Sequence, residues 1–443
     1  MTTRRKIKPD GEIDYNDQFF DQETLPERPS EKIDGIAADK IRQEILKVPS
    51  ESSVTCEYRV RGALIVGNLH LEHIKFGGYL RFENCYFKNG LDLRHIKLHR
   101  LKLVNCRFDE ILEADVAEIF GDVEIRNCTF SHGLVFRAAK VGGRFVIEGT
   151  TVNLIVGRPT RGPYALDTAF DASMLHVEHG LQLKELSKDS IKGTDENKVL
   201  IRTKLTGALD LSAAHIGSNL EIKNSDICVC ENSDIRKKLA LDLTNANVSG
   251  FFFVREKSHF NGKINLFGAR LRLFSTDNST IQSSDKYAID GEEVTVATSF
   301  AIGDAAIISG INLLSAKIGG VFQFGGSADE SSGMDRKKEG SKSEDAKVSG
   351  SLNLMHARIG RLAIDFQLWE RHCKLEKAFS PYFNGCIYGD IQSVQDHDTK
   401  KLPLQKWVKS LYSEVDQSER KGTSTAGETP LYIRNTPQIY HQL

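Results

Sequence analysis

Apolar and polar positions between Leu69 and Phe130 follow one spacing. Leu69-x-Leu71-x-x-Ile74-x-Phe76 is succeeded by Leu80, Phe82, Cys85 and Phe87, by Leu91, Leu93, Ile96 and Leu98, and by Leu101, Leu103, Cys106 and Phe108. Each unit is apolar-x-apolar, two spacers, apolar-x-apolar, then two or three spacers. Two inward side chains flanking one outward side chain mark a short β-strand. The spacer pairs mark corners, and four such strands make one coil of 21–22 residues. An amphipathic helix repeats at three and four residues, so it does not produce this spacing.

The period persists far along the chain. Leu112/Ala114/Ala117/Ile119, Leu134/Phe136/Ala139/Val141, Leu209/Leu211/Ala214/Ile216, Leu241/Leu243/Ala246/Val248, Ile264/Leu266/Ala269/Leu271, Ile311/Leu313/Ala316/Ile318 and Leu352/Leu354/Ala357/Ile359 all obey it. The expected fold is all-β: a right-handed parallel quadrilateral β-helix, a solenoid of about eleven coils, with α-helical caps at both ends.

The four sides differ from one another. On the second, the first inward residue is usually Ala; on the fourth it is small again (Ala63, Cys85, Cys106, Cys128, Thr150, Thr203, Ser225, Ser258, Ala305, Ala346). Small residues there make room for bulky ones opposite, as close packing in a narrow coil demands. Asp or Asn sits between the inward pair of the first side, as at Asp92, Asp171, Asp210, Asp242, Asn265, Asp290, Asn312 and Asn353.

A small residue, then Asp or Asn, then Leu within a five-residue step resembles the pentapeptide-repeat family, whose fold is a right-handed quadrilateral β-helix. The segments Ala208-Leu-Asp-Leu-Ser-Ala-Ala-His-Ile-Gly217 and Ile311-Asn-Leu-Leu-Ser-Ala-Lys-Ile-Gly-Gly320 are similar to bacterial solenoid proteins often labelled "membrane-associated oxidoreductase". The tail Leu431–Leu443 resembles the stretch following that family's solenoid. The resemblance spans roughly residues 35–443 and implies the architecture; its label implies an oxidoreductase activity.

Residues 1–29 are polar and read as a disordered segment. Residues 30–55 read as a helical N-terminal cap, Ser30 opening a helix to about Leu46 with Ile33, Ile36, Ala37, Ile41 and Ile45 on one face. The solenoid is expected over 56–366, and a C-terminal helical cap and tail over 367–443, its helix at Leu402–Tyr412 using Trp407 and Leu411. Extra residues at 153–168, 187–202, 228–240, 272–288 and 325–345 fall mostly beside the fourth side, so they should emerge from one edge. The stretch 325–345 is low in complexity and reads as a disordered loop.

Composition excludes little. With 59 basic and 60 acidic side chains the net charge is −1, which speaks against a wholesale mimic or coat of nucleic acid. The basic start of the chain is followed by no apolar stretch of signal-peptide kind, and no apolar run approaches the ~20 residues of a membrane helix. Eight Cys occur without paired spacing, so a cytoplasmic, thiol-reduced protein is expected.

For chemistry, Cys85, Cys106 and Cys128 share one column, but Ala, Thr and Ser fill it elsewhere, so packing explains them. No catalytic constellation, cofactor motif of the Gly-x-Gly-x-x-Gly kind or zinc-ligand spacing is legible. The second side's outward positions read Lys75, Lys97, Glu118, Lys140, His176, His215, Asn247, Arg270, Thr295, Lys317 and Arg358. Lys75, Lys97, Lys140, His176, His215, Arg270, Lys317 and Arg358 therefore form an expected basic stripe. Either it attracts an anionic partner or it solvates the face and is neutralised by the acidic column of side one. The expected function is a non-enzymatic binding scaffold presenting this stripe and the insertion edge to a protein or anionic partner. The alternative is a solenoid enzyme, an oxidoreductase or glycan-active.

Overall fold

The structure is a computed structural model and describes residues 4–7, 13–16, 35–47, 56–154, 168–188, 199–229, 238–303, 305–325, 347–348, 350–364 and 381–393. Its strands are short, and those of the coils pair in parallel with the equivalent strand one coil away. Lys97 lies opposite Lys75 and Glu118, and Leu91 lies opposite Leu69 and Leu112. This is a parallel β-solenoid with four sides per coil. Among the described residues the outward ladder of side two has twelve rungs, from Lys75 to Ile387.

The four corners are of two kinds. Strands such as Lys75–Glu83 and Lys97–Val104 run through the corner from side two to side three, so those sides form one long sheet and sides four and one form another. The other two corners are sharp and break the ladder. Between sides one and two a left-handed residue recurs at His73, His95, Val116, Ala138, Met174, Ala213 and Asn245; between sides three and four it recurs at Asn84, Asn105, Asn127 and Asn224. Asparagine tolerates this conformation best among the non-glycine residues, which explains its column. At the through-running corner coils approach so closely that a Cβ on Gly319 would stand 2.5 Å from the carbonyl oxygen of Ala297.

The core is one continuous apolar column. Ala117, Ala139, Ala214, Ala246, Ala269, Ala316 and Ala357 are all buried on side two, and opposite them aromatic rings stack. Phe87 and Phe108 lie 4.2 Å apart and Phe108 and Phe130 4.6 Å apart, both pairs nearly parallel. The small column of side four also works for the backbone. The Cys106 amide donates to Cys128 Sγ, the Cys128 amide to Thr150 Oγ1 and the Thr150 amide to Thr203 Oγ1. Cys, Thr and Ser therefore interchange because each offers a small acceptor beside a corner amide. Burial pushes the thiols of Cys85 and Cys106 well above their ordinary range.

Several expectations need correction. Within the segment expected to be disordered, Arg4–Ile7 and Ile13–Asn16 form an antiparallel pair, and the second strand lies parallel on Glu57–Arg61. The first coil otherwise exposes a strand edge, which favours pairing with any strand within reach. The helix begins at Ala38, not near Ser30: Ala37 is its N-cap, and Ile36–Ala37 is a strand on Ile65–Val66. That helix, Ala38–Leu46, buries Ile41 and Ile45 in the core column.

Strands continue beyond the expected boundary at 366, with Pro381–Tyr382 and Ile387–Ser393 pairing on the preceding coil. The expected helix at Leu402–Tyr412 lies outside the described residues. The insertion expected at 272–288 is mostly solenoid, since Phe274–Thr276 pairs with Phe300–Ile302 and Ser279–Gln282 with Ala305–Ile308. Ser279 is a member of the small column, and its polar neighbours disguised the coil.

Candidate functional site

The register places the stripe residues on one ladder. Lys140 is opposite His176, His176 opposite His215, His215 opposite Asn247, Asn247 opposite Arg270, and Lys317 opposite Thr295 and Arg358. Successive rungs of a sheet stand about 4.8 Å apart, so bare cations on adjacent rungs repel. How each rung meets this repulsion divides the ladder into three parts.

At the N-terminal end Glu118 interrupts the stripe. It pairs with Lys97 at 2.7 Å. The hydrogen bond from Lys97 holds the Glu118 carboxyl below its usual range, and the charges of Lys140 and Lys75 act in the same direction. In the middle the ladder is aromatic. The His176 and His215 rings stack at 4.7 Å. Asn247 donates its amide to His215 Nδ1 at 3.2 Å, and His176 Nε2 donates to Glu178 at 3.0 Å.

The C-terminal part is different. Arg270, Lys317 and Arg358 are exposed, Thr295 separates the first two, and none of the three has an ion pair among the described residues. Arg272, two positions after Arg270, is also exposed and lies 5.4 Å from the Phe251 ring. On the neighbouring face the outward residues of side three are uncharged here, as at Phe253, Ser275, Ala301 and Gln323. At the other end of the same face the charges are mutually paired. Glu83 accepts from Arg59, Arg61 and Arg81, and Glu124 pairs with Arg100, Lys102 and Arg126.

The acidic column of side one does not neutralise the stripe. Its side chains are committed to their own corner. Asp92, Asp171, Asp210, Asp242, Asn312 and Asn353 each accept the backbone N–H two residues on, from Arg94, Ser173, Ser212, Thr244, Leu314 and Met355. Asp and Asn recur there because a short side-chain oxygen closes this turn. They also bind coils together, Asn265 donating to Asp242 at 3.0 Å and Asn312 to Asp290 at 2.9 Å.

Spacing alone found the ladder. It missed Arg272 and Glu178, which stand beside the ladder at the corner leading to side three, and their signal was charge two positions beyond a ladder residue. The expected insertions at 153–168, 187–202, 228–240 and 325–345 lie mostly outside the described residues, and the described strands on either side of them belong to sides three, four or one. Leu186–Lys188 and Val199–Ile201 pair as the base of one insertion. No helix among the described residues is long and apolar enough to cross a membrane. No protein-family model matches the chain, and no curated protein matches it.

Proposed function

We propose that this protein is a non-enzymatic binding scaffold that docks an acidic segment of a partner protein along the C-terminal part of side two. The observation that carries this reading is the set of exposed cations Arg270, Lys317 and Arg358 on one ladder, without carboxylate partners among the described residues. Nearer the N-terminal end, charges such as Lys97 and Glu118, or Arg61 and Glu83, meet opposite charges one coil away. Leaving several cations of one ladder uncompensated costs self-repulsion, and an acidic ligand offsets it. The backbone of a solenoid fixes the spacing of these cations, so little order is lost on binding. The insertion edge expected from the sequence, most of which lies outside the described residues, belongs to the same proposal as a second edge for the partner. Kinship with the pentapeptide-repeat-like solenoids belongs to this proposal, supported by Ala208–Gly217 and Ile311–Gly320, each of which forms a first side, a corner and a second side.

The test is affinity capture from the native host with the full chain and with Arg270→Glu, Lys317→Glu, Arg358→Glu combined. A protein captured by the wild type, lost from the triple variant and released by salt supports the reading. Identical captured proteins from both baits, or binding of the wild type only to anionic lipid vesicles, overturns it.

A further inference from the structure

The first rung of side one departs from the repeat. Later rungs mostly place Asp or Asn at the turn position, followed two residues on by Arg, Ser or Thr at Asp92, Asp171, Asp210 and Asp242; this rung has His70 and then Glu72. His70 is the direct partner of Asp92 on the next coil. Three potential ligand atoms converge as a result. His70 Nδ1 lies 3.5 Å from Asp92 Oδ2 and 3.6 Å from Glu72 Oε2, and all three atoms fall within 4.8 Å of one another.

These separations suit a metal ion better than they suit hydrogen bonds. Ligands at the Zn–N and Zn–O distances of a tetrahedral site stand about 3.3–3.4 Å apart. Two of the three edges are close to that value, and both are too long for good hydrogen bonds. Glu72 Oε2 is itself buried and accepts no hydrogen bond, an arrangement that is costly for a carboxylate. Charge points the same way. Arg94 is shared between Asp92 and Glu113, and it does not form an ion pair with Glu72 among the described residues.

Arg94 also orients the candidate ligand. Its backbone N–H and Nε hold Asp92 Oδ1 at 3.1 and 2.9 Å, and its Nη2 meets Oδ2 at 2.5 Å. A ligating carboxylate is ordinarily held by hydrogen bonds of this kind, and Oδ2 retains a second lone pair. From the helix, Arg42 Nε donates to the His70 carbonyl at 2.8 Å and fixes the backbone. The His70 side chain is 46% exposed, which leaves a face of the site open to water.

We propose that His70 Nδ1, Glu72 Oε2 and Asp92 Oδ2 bind a divalent first-row transition ion, with Zn²⁺ as the reference, and that the ion fastens the first two coils together. One imidazole and two carboxylates are a donor set for such ions. The proposal is independent of any partner on side two.

The experiment is titration of the metal-freed full chain with ZnCl₂ by calorimetry, alongside His70→Ala and the isosteric Glu72→Gln. Binding of one equivalent is expected, weakened about tenfold or more in each variant, with unchanged far-ultraviolet dichroism before metal is added. Co²⁺ in place of Zn²⁺ should give d–d bands and no thiolate charge-transfer band. Absence of saturable binding, equal affinity in wild type and both variants, or a thiolate band on the Co²⁺ adduct overturns the proposal.

Discussion

Asn127 donates its side-chain amide to Oδ1 of Asn105 across 2.8 Å, one coil away, and Asn105 does the same to Asn84 at 2.9 Å. All three have positive φ, 49° at Asn127 and 52° at the other two. The column thus does two jobs at the corner between sides three and four: it adopts the left-handed conformation and links the coils.

These jobs separate by substitution. Asn105→Ala should destabilise by about 2 kcal/mol, roughly half from left-handed strain and half from the lost amide bonds. Asn105→Gly removes only the second part, so it should cost about half as much. Denaturant unfolding measures the difference, and hydrogen exchange should localise it to the corners at Asn84 and Asn127. Equal effects of the two substitutions would count against the conformational role.

Asp210 should weaken the fold at neutral pH. Burial pushes its carboxyl from 3.8 up to about 6, and Asp171 and Asp242 on the adjoining coils add to the push, against hydrogen bonds from Ser212. The native state then holds this proton more tightly than the unfolded chain does. Its contribution to stability is present below about 4 and declines as pH rises through about 6. Asp210→Asn should therefore stabilise by up to about 3 kcal/mol at pH 7 and by little near pH 4. Asparagine keeps the turn bond, as Asn312 and Asn353 do at equivalent rungs. A pH series of unfolding curves for both proteins checks the sign.

Thiol chemistry should follow burial. Cys85 and Cys106 are wholly buried with raised thiol pKa, and so they should resist a thiol-specific disulfide reagent at pH 8 until the chain is unfolded. Peptide mapping after brief labelling reads this out. Cys106→Ser should cost under about 1.5 kcal/mol, because a small hydroxyl can donate to the Phe82 and Val104 carbonyls as the thiol does. Cys106→Leu should cost about 1–3 kcal/mol by overpacking.

Glu83 gathers three guanidiniums, and its side chain is 10% exposed. Glu83→Gln leaves Arg59, Arg61 and Arg81 facing one another. A loss of about 2–3 kcal/mol is expected, below the range for fully buried pairs because Arg61 is 37% exposed. Added salt should narrow the gap between variant and wild type by screening the arginines.

Legibility differed between kinds of feature. The Ala column and the ladder from Lys75 to Arg358 could be read by counting, since alternation by two assigns every residue a face. The coil containing Ser279 could not, because polar residues at 277–280 broke the apolar signal that counting requires. The His70, Glu72 and Asp92 convergence was equally hidden. Nothing in a repeat pattern says which outward side chains bend towards each other across coils.

Local spacing determined the four-sided coil and the composition of each column, because inward and outward positions follow from strand geometry alone. Tertiary structure decided the pairings between coils. Insertions of unequal length set His176 opposite Lys140, with 36 residues per step in place of 22 between Lys140 and Glu118, and only the folded stack brings such residues into register. It also decided which charges are spent: the acids of side one close their own turns, and Glu118 answers Lys97. Arg270, Lys317 and Arg358 remain facing outward because hydrogen-bond geometry, not charge count, assigns partners.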